Sequence, residues 1–118
     1  MSDRFDFEGL MVYQKALDFT IIAYNVCESF PALEKFALAD QFRRAAASIA
    51  LNIAEGTGGS KVEFRRFLKI ARRSIRECIA IVTIAKRKNY FDYIKEMELR
   101  KRLVELSKMI SGLIVSLK

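Results

Sequence analysis

Apolar residues recur along this chain three and four apart, the spacing that gathers side chains on one side of a helix. Over residues 10–29 the stripe is Val12, Ala16, Phe19, Ala23, Val26 and Phe30, with Tyr13, Leu17, Tyr24 and Cys27 beside it, and Pro31 ends the segment. A second helix is predicted over 34–55; its alanines (Ala45, Ala46, Ala47, Ala50 and Ala54) favour helix and let a neighbour approach. A third, over 61–88, carries Phe64, Leu68, Ala71, Ile75 and Val82 on one stripe and Phe67, Ile70, Ser74 and Ile81 on the next. Asn89 and Tyr90 break that pattern. Asp92 is placed to cap a fourth helix over 92–117, whose core stripe is Leu99, Leu103, Leu106, Ile110, Leu113 and Leu117. Four long helices with short connections predict one all-α domain spanning 1–118, an antiparallel up-down-up-down four-helix bundle.

Between the second and third helices stands Gly56-Thr57-Gly58-Gly59, where a glycine in the left-handed conformation is expected to close one helix. Ser60, with Glu63 three residues on, has the form of a capping box that opens the next. Upstream of the turn, Gln41, Arg44, Ser48, Asn52 and Glu55 lie on one polar stripe of the second helix. A buried member of that stripe needs a partner, because an unsatisfied polar group costs about 1–3 kcal/mol. The stripe is therefore either a packing network, within the bundle or between subunits, or a binding site near Glu55-Gly56.

The run Q-F-R-R-A-A-A-S-I-A-L-N-I-A-E-G, the helix E-F-R-R-F-L-K-I-A-R-R-S-I-R-E and the closing N-Y-F resemble the 23S ribosomal RNA intervening-sequence proteins, also called the four-helix-bundle protein family. The first helix, with V-Y-Q-K-A-L-D-F, and the connection Phe30-Pro31-x-x-Glu34 with Phe36 and Leu38 continue the likeness over nearly the whole chain. The resemblance implies a small bacterial cytoplasmic protein whose bundle assembles into a homopentamer. It implies no established biochemical role. Some members are encoded inside insertions in 23S ribosomal RNA genes. At the level of fold and basic surface there is also an analogy with the pentameric accessory proteins of diversity-generating retroelements, which engage nucleic acid and a reverse transcriptase.

The hydrophobic fraction of 52% exceeds what one broad apolar face per helix consumes, which points to self-association or, alternatively, to a wider core seam. Charge divides the chain unevenly. Residues 1–60 hold five basic and eight acidic side chains, net −3, whereas 61–118 hold sixteen basic and six acidic, net +10. Cys27 and Cys78 lie in apolar helical stretches without C-x-x-C spacing and read as buried thiols of a reducing compartment. With no signal-like N-terminus and no apolar run near twenty residues, the protein is expected in the cytoplasm, with no membrane partner.

The inventory narrows the chemistry. The chain has no histidine, which excludes Glu-x-x-His di-iron sites, imidazole zinc sites and Ser-His or Cys-His nucleophiles. The order G-x-x-x-x-G-K-[ST] is absent, so the glycine turn is no phosphate loop. No enzyme activity, catalytic residue, metal, cofactor or small-molecule substrate is expected.

What remains is a basic stripe on the third helix: Arg65, Arg66, Lys69, Arg72, Arg73 and Arg76, five arginines to one lysine, offset locally by Glu63 and Glu77. Arginine forks suit phosphate oxygens. Either acids of the first half pair with the stripe, or RNA or DNA phosphates do; Arg43, Lys86, Arg87 and Lys88 can extend it. Exposed aromatic pairs and other base-reading elements are not visible, so the expected binding depends on charge and shape. The alternative is an oligomeric scaffold for a protein partner, with no direct nucleic-acid binding.

Overall fold

The computed structural model describes residues 3–118. Four helices follow one another, α1 (Met11–Cys27), α2 (Leu38–Gly56), α3 (Lys61–Arg87) and α4 (Tyr93–Ser116), with short 3-10 turns at Asp6–Gly9 and Ala32–Glu34. Among the described residues there is no strand. Each helix runs antiparallel to the one before it. α2 packs on both α1 and α3, α3 packs on α4, and α1 meets α4 more sparingly to close the bundle. Phe19, Phe42, Ile49, Ile53, Leu68, Leu99, Leu103, Leu106 and Ile110 are fully buried at the centre. Among the described residues no helix is long and apolar enough to cross a membrane.

The helix ends follow from side chains that satisfy free backbone groups. At the start of α3, Ser60 Oγ accepts the Glu63 N–H at 3.2 Å while the Glu63 carboxylate accepts the Ser60 N–H at 3.2 Å. Asp92 Oδ1 accepts the Lys95 N–H at 2.8 Å and opens α4. α2 begins at Leu38, later than periodicity suggests, because the chain after Pro31 first makes a 3-10 turn. The Glu34 carboxylate then takes up the Leu38 N–H at 3.2 Å and the Tyr90 hydroxyl at 2.7 Å. That second bond ties the α1–α2 connection to the α3–α4 corner.

The glycine turn differs from expectation. No described glycine has a positive φ; the left-handed residue is Asn89, at φ 60°. There the Tyr90 N–H reaches the Ala85 carbonyl and the Asn89 N–H the Lys86 carbonyl, the bond pair that closes a helix end around one left-handed residue. Gly56 serves proximity instead: a Cβ on it would lie 2.8 Å from Phe67 Cβ and 2.9 Å from Phe64 Cδ1.

Large apolar side chains remain exposed on every helix and in the α1–α2 connection. Ile21, Tyr24 and Leu51 stand out from the α1–α2 side, and Met97 and Val104 from the α3–α4 side, where a groove of about 350 Å³ runs between Arg76, Ala80 and Val104.

Candidate nucleic-acid interface

α3 turns its apolar stripe inward, which leaves its basic residues on an arc from the α4 seam to open solvent. The arc does not present six equivalent cations. At the seam, Arg65 Nη1 donates to the Leu117 carbonyl at 2.9 Å and Arg72 Nη1 to Ser111 Oγ at 3.2 Å. Both guanidinium groups are half-buried and hold α3 against α4. Arg66, Lys69, Arg73 and Arg76 are exposed. Three and four residues apart, they follow one another at steps of about 4.5 and 6 Å along the axis. The Arg66 guanidinium also lies over the Phe67 ring, 4.5 Å from its centroid.

Among the described residues no carboxylate makes a salt bridge with any of the six. The ion pairs present lie elsewhere. Lys15 and Glu105 join α1 to α4 at 3.1 Å, Arg44 and Asp40 pair along α2 at 3.0 Å, and Lys95–Glu98 and Arg100–Glu96 lie along α4. Of the residues that might extend the ridge, Arg43 is engaged with the Lys35 carbonyl and Asp40, whereas Arg87 and Lys88 are exposed where α3 ends.

The polar stripe of α2 divides into three. Ser48 and Asn52 form a network with α3: Ser74 Oγ donates to Ser48 Oγ at 2.9 Å, and Asn52 Nδ2 donates to Ser48 Oγ at 2.9 Å and to the Ser48 carbonyl at 2.8 Å. Gln41 and Arg44 are exposed. Glu55, also exposed, lines a hollow of about 620 Å³ under the glycine turn with Asp6, Glu63, Arg66, Phe5, Phe7 and Phe67. Three carboxylates against one guanidinium make that hollow unsuited to phosphate.

Both cysteines are free and buried. Burial pushes the Cys78 thiol up to about 12, with the Glu77 charge adding to it. Burial likewise raises Cys27, opposed by the Arg43 charge and hydrogen bond. Neither is an activated nucleophile. Among the described residues, no three His, Cys, Asp or Glu side chains sit together to hold a metal ion. Sequence reasoning did not mark Phe36, in the α1–α2 connection, as an exposed ring, and it is open to solvent. Its signal was its position outside any apolar stripe.

Fold and surface define an all-α four-helix bundle whose third helix carries a cationic outer face, with the exposed Glu77 beside it. The chain belongs to the 23S rRNA-intervening sequence protein family, whose model matches residues 8–112. A crystal structure of a protein of unknown function from the S23 ribosomal protein family of Bacteroides thetaiotaomicron is similar in fold, with a TM-score of 0.82 and 23% identity over 88% of this chain and 98% of that one. No curated protein matches the chain.

Proposed function

We propose that this protein is a non-enzymatic, cytoplasmic homo-oligomer that binds the phosphate backbone of RNA or DNA through the outer face of α3. The observation that carries the reading is the ridge Arg66, Lys69, Arg73, Arg76, four exposed cations that no described carboxylate pairs. Neighbouring like charges on a helix repel, and a polyanion relieves that repulsion while releasing its own counterions. The family's link to 23S rRNA insertions is consistent with such a ligand. Two different apolar faces, on the α1–α2 and α3–α4 sides of the bundle, favour head-to-tail association, and a head-to-tail contact that closes makes a ring, the pentamer that the family resemblance implies. A ring repeats the ridge once per subunit, so weak contacts add up to avidity.

The seam arginines make poor probes, because removing Arg65 or Arg72 also loosens α4. The test is the double variant Lys69→Glu, Arg73→Glu, which spares Arg76 because that residue lines the α3–α4 groove, titrated by fluorescence anisotropy with RNA and DNA at several salt concentrations. Wild type is expected to bind with a steep negative salt slope, and the variant to lose at least about tenfold in affinity at low salt, with helicity and oligomer mass unchanged. Equal binding by both proteins, or none by either, would move the function to a protein-binding scaffold.

A further inference from the structure

Beyond Arg76 the outer face of α3 carries Ala80 and Ile84, and exposed cations return at Arg87 and Lys88, about 16 Å further along the axis. The Ser48–Ser74 hydrogen bond fixes how the antiparallel α2 and α3 lie side by side. Counting equally outward from it sets Leu38 level with Ile84, and the turn that carries Lys35 and Phe36 level with Lys86–Lys88. That end of the molecule therefore carries Lys35, Arg87 and Lys88, all exposed, as well as the Phe36 ring. Phe36 is 87% exposed, the highest value for any large apolar side chain among the described residues. The Lys35 ammonium lies 5.4 Å from the ring centroid. Leu33, 77% exposed, gives the same turn an apolar shoulder.

An open aromatic ring beside a line of cations is the arrangement that takes a nucleic acid with its bases unpaired, because every base has a π-face to stack and every nucleotide a phosphate to neutralise. A duplex hides those faces. We propose that the ligand of this protein is single-stranded nucleic acid, or an unpaired loop, whose backbone follows the α3 ridge to Arg87 and Lys88 and whose base stacks on Phe36. The inference rests on the phosphate-binding reading of α3 and narrows its ligand class. Two cationic groups on one helix, Arg66–Arg76 and Arg87–Lys88, favour a strand long enough to reach both over a lipid surface, which would need the apolar tip but not the ridge.

The chain contains no tryptophan, so Phe36→Trp installs a sole indole reporter at the tip. The full-length protein and its Phe36→Trp, Phe36→Ala and Lys69→Glu/Arg73→Glu variants are titrated with a single-stranded oligoribonucleotide, its duplex form, and vesicles of phosphatidylglycerol. Expected are quenching of the indole by the single strand but not by the duplex, and about a tenfold loss of single-strand affinity in Phe36→Ala with duplex affinity unchanged. If Phe36→Ala binds the single strand like wild type while the ridge variant does not, the stacking site is refuted and the phosphate ridge stands. If wild type binds neither nucleic acid, both fall. Vesicle binding that Phe36→Ala abolishes, with single-strand binding intact, would assign the tip to lipid and overturn the proposal.

Discussion

At Gly56 the lack of a side chain sets the distance between α2 and α3. A methyl group there would press on Phe67 Cβ, which is held by the backbone, as well as on the rim of the Phe64 ring. Gly56→Ala gains up to about 1 kcal/mol in helix propensity but forces overpacking that typically costs about 1–3 kcal/mol, so the expected result is net destabilisation, read as a lower urea midpoint. Cys78 gives a pH signature instead. Its thiol ionises near 9 when exposed and near 12 when folded, so the stability it confers is fully present below about pH 9 and drains away as pH rises toward 12. Urea midpoints measured between pH 8 and 11 should fall less steeply in Cys78→Ala than in wild type. Equal slopes would mean that the buried thiol carries none of the alkaline loss.

At the scale of elements, the helices were legible wherever polarity and period agreed. The inward stripes of α3 and α4, the Ser60–Glu63 box and the Asp92 cap depend on residues within one turn of each other, and local spacing carries that information. The start of α2 was not legible, since it depends on Glu34 reaching both Leu38 and Tyr90, and the second contact joins residues far apart in sequence. The glycine run misled for a related reason. Glycine permits a left-handed backbone but also permits close approach, and only the packed partner, Phe67, tells which is used. Among the candidate site residues, the six basic positions of α3 share one helical arc in sequence. Their division into seam and ridge depends on where α4 lies, and on the Leu117 carbonyl and Ser111 hydroxyl it supplies. The α2 stripe likewise looked continuous until Ser74 singled out Ser48 and its neighbour Asn52.

For the whole molecule, exposed apolar surface on the α1–α2 and α3–α4 sides makes a prediction about mass. A charge at Leu51 on one side, or at Val104 on the other, sits on a side chain that packs little within its own subunit. Leu51→Asp and Val104→Asp are each expected to lower the mass measured by light scattering while circular dichroism stays helical; a mass unchanged in both would place the subunit contact elsewhere. The bundle's closure is uneven too. α2 and α3 are joined by a few residues, share their longest contact and are locked by the Ser48–Ser74 bond, whereas α1 meets α4 sparingly, across the surface ion pair of Lys15 and Glu105. A hairpin with so short a link forfeits little chain entropy on closing, so it is the natural nucleus of folding, and the α1–α4 contact is the natural last to form. The same asymmetry governs the folded protein: the α1–α4 seam is expected to open first, so amide protons of α1 and α4 should exchange with solvent before those of the α2–α3 hairpin.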